Sequence, residues 1–135
     1  MKIEIAYPPN IEKIDAILVT KDKKVYYCYG DTIFNPFNLD IPGLINAHES
    51  AHCASQGSDP EGWWDMYLTD IGFRYQEELD GHQAEMSYQL NMTKDRNQKS
   101  SIIMKTALRL CSPIYDYNKT TTQAIKDLKA FKRSK

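Results

Sequence analysis

Two histidines and a glutamate near the middle of the chain have the spacing of a metal site. His48 and His52 are four residues apart, and Glu49 directly follows His48. Residues i and i+4 lie on one face of a helix, so both imidazoles can bind the same metal ion. The Glu49 carboxylate lies beside that face, where it can take a proton from a metal-activated water without being a ligand. The spacing therefore predicts a metal site, with Glu49 as the general base.

A third ligand has to come from another part of the chain. A catalytic zinc ion has three protein ligands and keeps its fourth position for water. Residues 70–92 predict one long helix, because their apolar side chains recur at spacings typical of a helix. The ligand candidates on that helix are Glu77, Glu78, Asp80, His82 and Glu85.

The histidine helix followed by a glutamate-bearing helix resembles the gluzincins, the thermolysin-like branch of the zinc metallopeptidases. In that family a small residue stands three positions after the ligand glutamate and lets the two helices pack closely. An aspartate or asparagine at the fourth position orients the first histidine. Glu78 fits best, because Gly81 follows it at the third position. The resemblance implies one zinc ion per chain, bound by His48, His52 and Glu78.

The alternatives fit the family pattern less well. A frame starting at Glu77 places Asp80 at the small position, and a frame starting at Glu85 places Tyr88 there. The chosen frame departs from the family at His82, which stands where an acidic or amide group is expected. His82 is therefore either a second-shell partner of the metal site or the third ligand of a three-histidine site.

A peptidase also needs a donor that stabilises the oxyanion of the tetrahedral intermediate. The chain has nine tyrosines, and three of them are candidates: Tyr88, one turn beyond Glu85, and Tyr115 and Tyr117, in the predicted loop after Pro113. Aromatic packing is the alternative role for each of them.

The residues before the motif predict a small antiparallel or mixed β-sheet. Lys2–Ala6 alternates polar and apolar residues, and Thr32–Phe34 predicts a short strand. Ala16–Thr20 and Val25–Tyr29 flank a polar turn and predict a hairpin. The resemblance implies that an extended peptide pairs with the last strand before the active-site helix.

The rest of the chain predicts helices. The active-site helix has Pro42 in its first turn and Asp40 as its N-cap. The predicted helical segments are 42–55, 63–67, 70–92, 100–111 and 121–131. The expected fold is α+β and zincin-like, a single domain over residues 1–135, in which the sheet precedes an active-site helix, a ligand helix and one or two C-terminal helices.

Composition limits the possible partners and location. The net charge of -1 over 135 residues argues against a general nucleic-acid binder. The chain has neither a long apolar run nor the features of a signal peptide, which predicts a cytoplasmic protein without a membrane segment. Three widely spaced cysteines, Cys28, Cys53 and Cys111, predict reduced thiols.

Two classes of function follow. The leading hypothesis is a zinc metallopeptidase that acts on a peptide or protein, similar to the minigluzincins and the short proteins with this motif in phages and mobile elements. The alternative is a non-enzymatic, phage-type interaction protein in which the same residues hold a structural metal. An open fourth position at the metal would favour the enzyme, whereas a fourth ligand such as His82 or Asp80 would favour the structural role.

Overall fold

The computed structural model describes residues 1–112 and 119–131. Within these ranges the chain forms a small sheet followed mainly by helices. The elements are β1 (Lys2–Glu4), α1 (Ile11–Leu18), β2 (Tyr27–Tyr29), β3 (Thr32–Phe34), α2 (Gly43–Gln56), α3 (Pro60–Thr69), α4 (Ile71–Asn91), α5 (Arg96–Leu110) and α6 (Thr121–Ala130). The fold is therefore α+β, as predicted, and is mostly helical.

The sheet is mixed and has the strand order β1-β3-β2. β1 runs parallel to β3, whereas β2 and β3 form an antiparallel hairpin. The hairpin turns at Gly30, whose φ of 66° is one that glycine adopts without strain. β3 is the central strand, so the prediction that an extended peptide pairs with it is wrong. The unpaired edges of the sheet belong to β1 and β2.

The predicted strand at Ala16–Thr20 is also wrong, because most of this segment belongs to helix α1. Ile14 is fully buried in the core, and Ile11 and Leu18 pack against the same cluster of side chains. These three residues are three and four positions apart, so a helix places them on one face. Burial of that face outweighs the preference of the short apolar run for a strand. The helix ends at Val19, which adopts a left-handed conformation.

The helix that carries the histidines begins one residue later than predicted. Pro42 is its N-cap residue, not the expected Asp40, and its last residue is Gln56. α3 follows after a short break, and its N-cap Asp59 accepts a hydrogen bond from the Gly62 amide. α4 starts in the same way, since its N-cap Asp70 accepts from the Phe73 amide. These capping contacts fix where α3 and α4 begin.

Helix α4 lies between two clusters of buried side chains. One cluster joins α1, the hairpin and α3, and consists of Ile14, Tyr27, Phe34, Trp63, Trp64, Tyr67 and Leu68. The other joins α4, α5 and α6, and consists of Tyr75, Leu79, Met86, Ala107, Leu110, Ala124 and Leu128. α4 also packs along α2, so two histidines of α2 face a helix that is itself held on both sides.

None of the helices in the described ranges is both long and apolar enough to span a bilayer. α4 is the longest helix, with 21 residues, but it buries several ionisable side chains, Glu78 and Glu85 among them.

Cys28 of β2 and Cys53 of α2 form a disulfide, with their Cα atoms 5.8 Å apart. The prediction of reduced thiols is therefore wrong for these two residues, whereas Cys111 is free. The Cys28 carbonyl accepts hydrogen bonds from the Gln56 side chain and from the Trp64 indole, at 2.8 and 2.9 Å. β2 is thus fixed to α2 and α3 by both covalent and polar contacts.

Candidate metal centre

Helices α2 and α4 bring His48, His52 and Glu78 together. The two Nε2 atoms of His48 and His52 are 3.0 Å apart. Glu78 reaches both rings, with Oε1 3.3 Å from His48 Nε2 and Oε2 2.9 Å from His52 Nε2. One nitrogen or oxygen from each residue lies within 4.8 Å of the other two, close enough for all three to bind one ion. The three side chains can therefore hold a metal ion.

Burial shifts the pKa values of the three side chains in this cluster. His48, His52 and Glu78 are 7%, 4% and 4% exposed. Burial lowers the pKa of each imidazole, but the nearby carboxylates, Glu78 at both rings and Glu85 at His48, outweigh it, and the net pKa of both histidines is raised. Burial likewise raises the pKa of Glu78, but His52 and His48 bring it well below its ordinary value. The carboxylate is thus an anion that requires positive charge beside it, which protons or a divalent cation can provide.

One oxygen of the cluster is left without a hydrogen bond. Glu78 Oε1 is buried and accepts no hydrogen bond from the residues that the structure describes, although it lies close to the His48 ring. Its other oxygen, Oε2, accepts a hydrogen bond of 2.9 Å from the Tyr67 hydroxyl. A buried carboxylate oxygen without a donor is costly, and coordination to a cation would remove that cost. The donor set therefore fits a metal ion.

Gly81 allows the two helices to approach at this point. A Cβ atom added to Gly81 would lie 2.8 Å from His48 Nε2 and 2.9 Å from His48 Cε1. Such distances are too short for a real Cβ contact, so any larger residue would push the His48 ring away from Glu78. The close packing predicted from glycine at the third position after Glu78 is confirmed.

Replacement of Gly81 by alanine is expected to lower both stability and metal affinity. Inside a helix, alanine is more stable than glycine by about 1 kcal/mol, which opposes the loss of stability. Overpacking against His48 should cost roughly 1–3 kcal/mol and displace a ligand. Chemical denaturation and zinc titration would measure the two effects.

Gly72→Ala, on the same helix, is the matched control, because a Cβ there would meet only Asp70 Oδ1, at 3.3 Å, and no histidine atom. The control should keep metal affinity. Equal affinities for the Gly81 variant and the control would contradict the packing role of Gly81.

A second set of possible ligands shares His48 with the first. It consists of His48, His82 and Glu85, whose ligand atoms also lie within 4.8 Å of one another. His82 Nε2 is 3.7 Å from Glu78 Oε1, but in these sets His82 groups with Glu85 and not with His52 and Glu78. Asp80 and Glu77 belong to neither set. His82 thus lies beside the first set and is itself a possible ligand in the second, so both roles that the sequence left open stay predictions.

Glu49 lies next to the ligands without joining either set of described residues. Its side chain is 9% exposed, and burial raises its pKa, while the charges of His48 and His52 oppose that rise. A raised pKa is what a carboxylate needs in order to accept and return a proton near neutral pH. The structure thus places Glu49 beside the predicted ligands, and its role as a general base stays a prediction.

Two cavities meet at His48 and Glu49. The first has a volume of about 130 Å³ and is mostly apolar, with Trp63, Trp64 and Tyr67 in its wall. The second has a volume of about 590 Å³, and its lining residues include Lys24, Ile45, His82, Glu85 and Arg109. Val25 and Tyr26 line both cavities, so the segment before β2 runs past the site.

Of the three tyrosine candidates, Tyr88 belongs to the part of the chain that the structure describes. Tyr115 and Tyr117 lie outside the described residues. Tyr88 is 40% exposed, and its hydroxyl packs against Gly43 at the beginning of α2. Tyr26, which the sequence analysis did not select, lines both cavities, and its hydroxyl donates to the Asp40 carbonyl. With nine tyrosines, no sequence feature singled out Tyr26.

Three further contacts lie around the site. The Tyr67 ring stacks on Trp63, whose indole lies 5.4 Å from the His52 ring, between ring centroids. Glu85 contacts His48 from the other side of the site. From the sequence, the spacing of four residues predicts that Trp63 and Tyr67 share one face of a helix. It does not predict that this face packs against the metal ligands.

Comparisons with known proteins identify no relative. No family model, no curated protein and no solved structure matches the chain. What the site does has to be inferred from its own residues.

Proposed function

We propose that the protein is a zinc-dependent metallopeptidase with His48, His52 and Glu78 as the metal ligands. The observation that carries this proposal is the arrangement of three buried donor side chains around one point, with a fourth buried carboxylate, Glu49, beside them and facing the cavities. Two imidazoles and a carboxylate are a ligand set typical of catalytic zinc. On this proposal the fourth position stays open for reactants; neither His82 nor Asp80 belongs to the first set, although His82 Nε2 lies 3.7 Å from Glu78 Oε1.

The roles of the chain's own groups follow from their positions. When bound, zinc would supply Lewis acidity that polarises a peptide carbonyl and makes water more acidic. Glu49 accepts the proton of the attacking water and then donates it to the leaving amine. Tyr67 holds Glu78 through its hydrogen bond to Oε2. The burial of all these groups strengthens their electrostatic interactions by excluding water.

The two cavities offer a route for an extended substrate. The wider cavity is bordered by Lys24, Val25 and Tyr26, and it can accommodate a peptide chain running past Glu49. The smaller, apolar cavity begins at the same residue and can receive one side chain. Further along β2 the Cys28 carbonyl is occupied by Gln56 and Trp64. Main-chain pairing with substrate is therefore expected before β2, around Tyr26.

Metal content and hydrolysis together test the proposal. Protein purified without a polyhistidine tag or added metal is expected to contain about one zinc ion per chain, measured by elemental mass spectrometry. It should cleave an unfolded protein such as casein, with fragments identified by mass spectrometry. A zinc chelator should stop cleavage, and added zinc should restore it. A chain that contains no zinc and gains no thermal stability from it would contradict the proposal.

The structural-metal alternative is favoured by the crowding of the site. The ligands are buried, and two more possible ligands, His82 and Glu85, lie beside them. Stoichiometric zinc that raises stability without any cleavage of unfolded protein would support that alternative and an interaction protein.

A further inference from the structure

We infer that Glu85 is the positioning residue of the metal centre: its carboxylate holds His48 and His82 in the tautomer that carries the proton on Nδ1, and Arg109 holds the carboxylate. The inference depends on the metal site of the proposed function but not on peptide hydrolysis. It assigns a role to three groups, Glu85, His82 and Arg109, that the proposed reaction leaves unused.

The carboxylate of Glu85 lies between two imidazoles. Its Oε2 is 2.7 Å from His82 Nδ1, a hydrogen bond, and its Oε1 is 3.5 Å from His48 Nδ1. The latter distance exceeds that of a formed hydrogen bond. His48 Nδ1 is buried, however, and has no hydrogen-bond partner in the described structure, so Glu85 is the acceptor available to it. Glu85 itself is only 2% exposed, which keeps water from competing for its oxygens.

The direction of each imidazole follows from this placement. A neutral imidazole carries one proton, and the nitrogen that faces an acceptor is the one that holds it. With Nδ1–H of His48 directed at Glu85, the lone pair of His48 Nε2 is directed at Glu78, 3.3 Å away. His82 follows the same rule, with Nε2 on the side of Glu78. One carboxylate thus directs His48 Nε2 at the metal position and holds the His82 ring beside it.

Arg109 compensates the charge of this buried carboxylate. Its Nη2 lies 3.3 Å from Glu85 Oε2, and its side chain extends from α5 to the wall of the wider cavity. A second metal ion bound by His48, His82 and Glu85 would have to lie beside this guanidinium, and the repulsion between the two cations disfavours it. The second set of possible ligands is therefore a support for the first and not a second metal site.

Two substitutions of Glu85 separate its charge from its acceptor atoms. Glu85→Gln keeps one acceptor oxygen and removes the charge, whereas Glu85→Met keeps the length of the side chain and removes both acceptors. Loss of such a carboxylate partner typically weakens metal binding by about 10–100-fold. We expect Glu85→Met to show that loss in zinc affinity, measured by competition with a chelator of known affinity, and Glu85→Gln to show a smaller one. Glu77→Gln, on the same helix but outside both sets, should bind zinc like the wild type.

The tautomers provide a readout that a merely structural role would not change. Long-range proton–nitrogen NMR correlations should show Nδ1–H for His82 in the metal-free protein and for His48 in the zinc-loaded protein. In Glu85→Met, His82 should change to the Nε2–H form. If that variant fails to fold, Arg109→Gln, altered at a half-exposed side chain, should still lower zinc affinity several-fold.

Wild-type zinc affinity in Glu85→Met, or unchanged tautomers, would overturn the inference while leaving the proposed peptidase intact. Zinc binding without hydrolysis in the wild type would contradict the peptidase, and the affinity and NMR results would still decide the role of Glu85.

Discussion

Replacement of Glu49 by glutamine is expected to abolish peptide hydrolysis while the protein keeps its zinc. Glutamine has nearly the same shape as glutamate, but its amide cannot accept a proton from water and return it to an amine. General acid–base catalysis typically contributes 10²–10⁴-fold, so kcat should fall by about that factor. Because Glu49 lies in neither ligand set among the described residues, the zinc content should stay at about one ion per chain.

The measurement compares cleavage of a peptide with zinc content in the same preparations. Glu77→Gln is the control, because it makes the same chemical change at a residue of α4 outside the site. The hydrogen bond described for the Glu77 side chain is one that it accepts from the Trp63 indole. The control should keep near-normal activity. A Glu49 variant that cleaves peptide at the wild-type rate would show that another group is the base, and one that loses its zinc would show that Glu49 is needed for binding.

The predictable part of the site comes from local geometry. His48 and His52 lie on one helical face because of their spacing alone, and the structure confirms that their Nε2 atoms converge. Gly81 was explained by helix packing, because glycine inside a helix has a cost that needs a reason. Its contact with His48 supplies that reason. Local periodicity thus located most of the first set of ligands.

The unpredicted part depends on contacts between distant segments. Glu85 meets His48 only because α2 and α4 pack together, and Arg109 reaches Glu85 from α5. The disulfide between Cys28 and Cys53 joins residues 25 positions apart, and only the packing of β2 on α2 brings them together. Spacing along the chain carries no information about such pairs.

The error at Ala16–Thr20 has a different origin. A short run of apolar and β-branched residues fits both a strand and one turn of a buried helix. Ile14, just before the run, decides between them, since it is fully buried together with residues one turn away. The hairpin forms between β2 and β3 instead, and β3 is central because β1 pairs with its other edge.

Replacement of Glu78 by alanine is expected to remove stoichiometric zinc. The variant keeps two imidazoles but loses the only carboxylate in the first ligand set. Loss of a residue that only hydrogen-bonds to a ligand weakens metal binding by about 10–100-fold, so loss of a ligand itself should weaken it by at least about 100-fold. Retained zinc at one ion per chain would show that His82 or another group is the third ligand, as in the three-histidine site that the sequence left open.

Stability needs a careful comparison, because Glu78 also balances charge without metal. Its carboxylate lies 2.9 Å from His52 Nε2 and 3.3 Å from His48 Nε2, and removing one partner of a buried ion pair is itself destabilising by about 3–5 kcal/mol. The melting temperature alone would therefore fall whether or not Glu78 binds metal. The informative quantity is the increase in melting temperature that zinc produces in each variant.

For the wild type, zinc at about 1,000 times its dissociation constant should add about 4 kcal/mol to the free energy of unfolding. In Glu78→Ala this increment should nearly disappear, and in Glu78→Gln, which preserves shape, it should be strongly reduced. Glu77→Ala should keep it, because that neighbouring carboxylate lies outside both ligand sets. An equal zinc-induced rise in stability in Glu78→Ala and Glu77→Ala would contradict the role of Glu78 as a metal ligand. The electrostatic penalty of losing Glu78 is already present in the metal-free protein, so it cancels when each variant is compared with and without zinc.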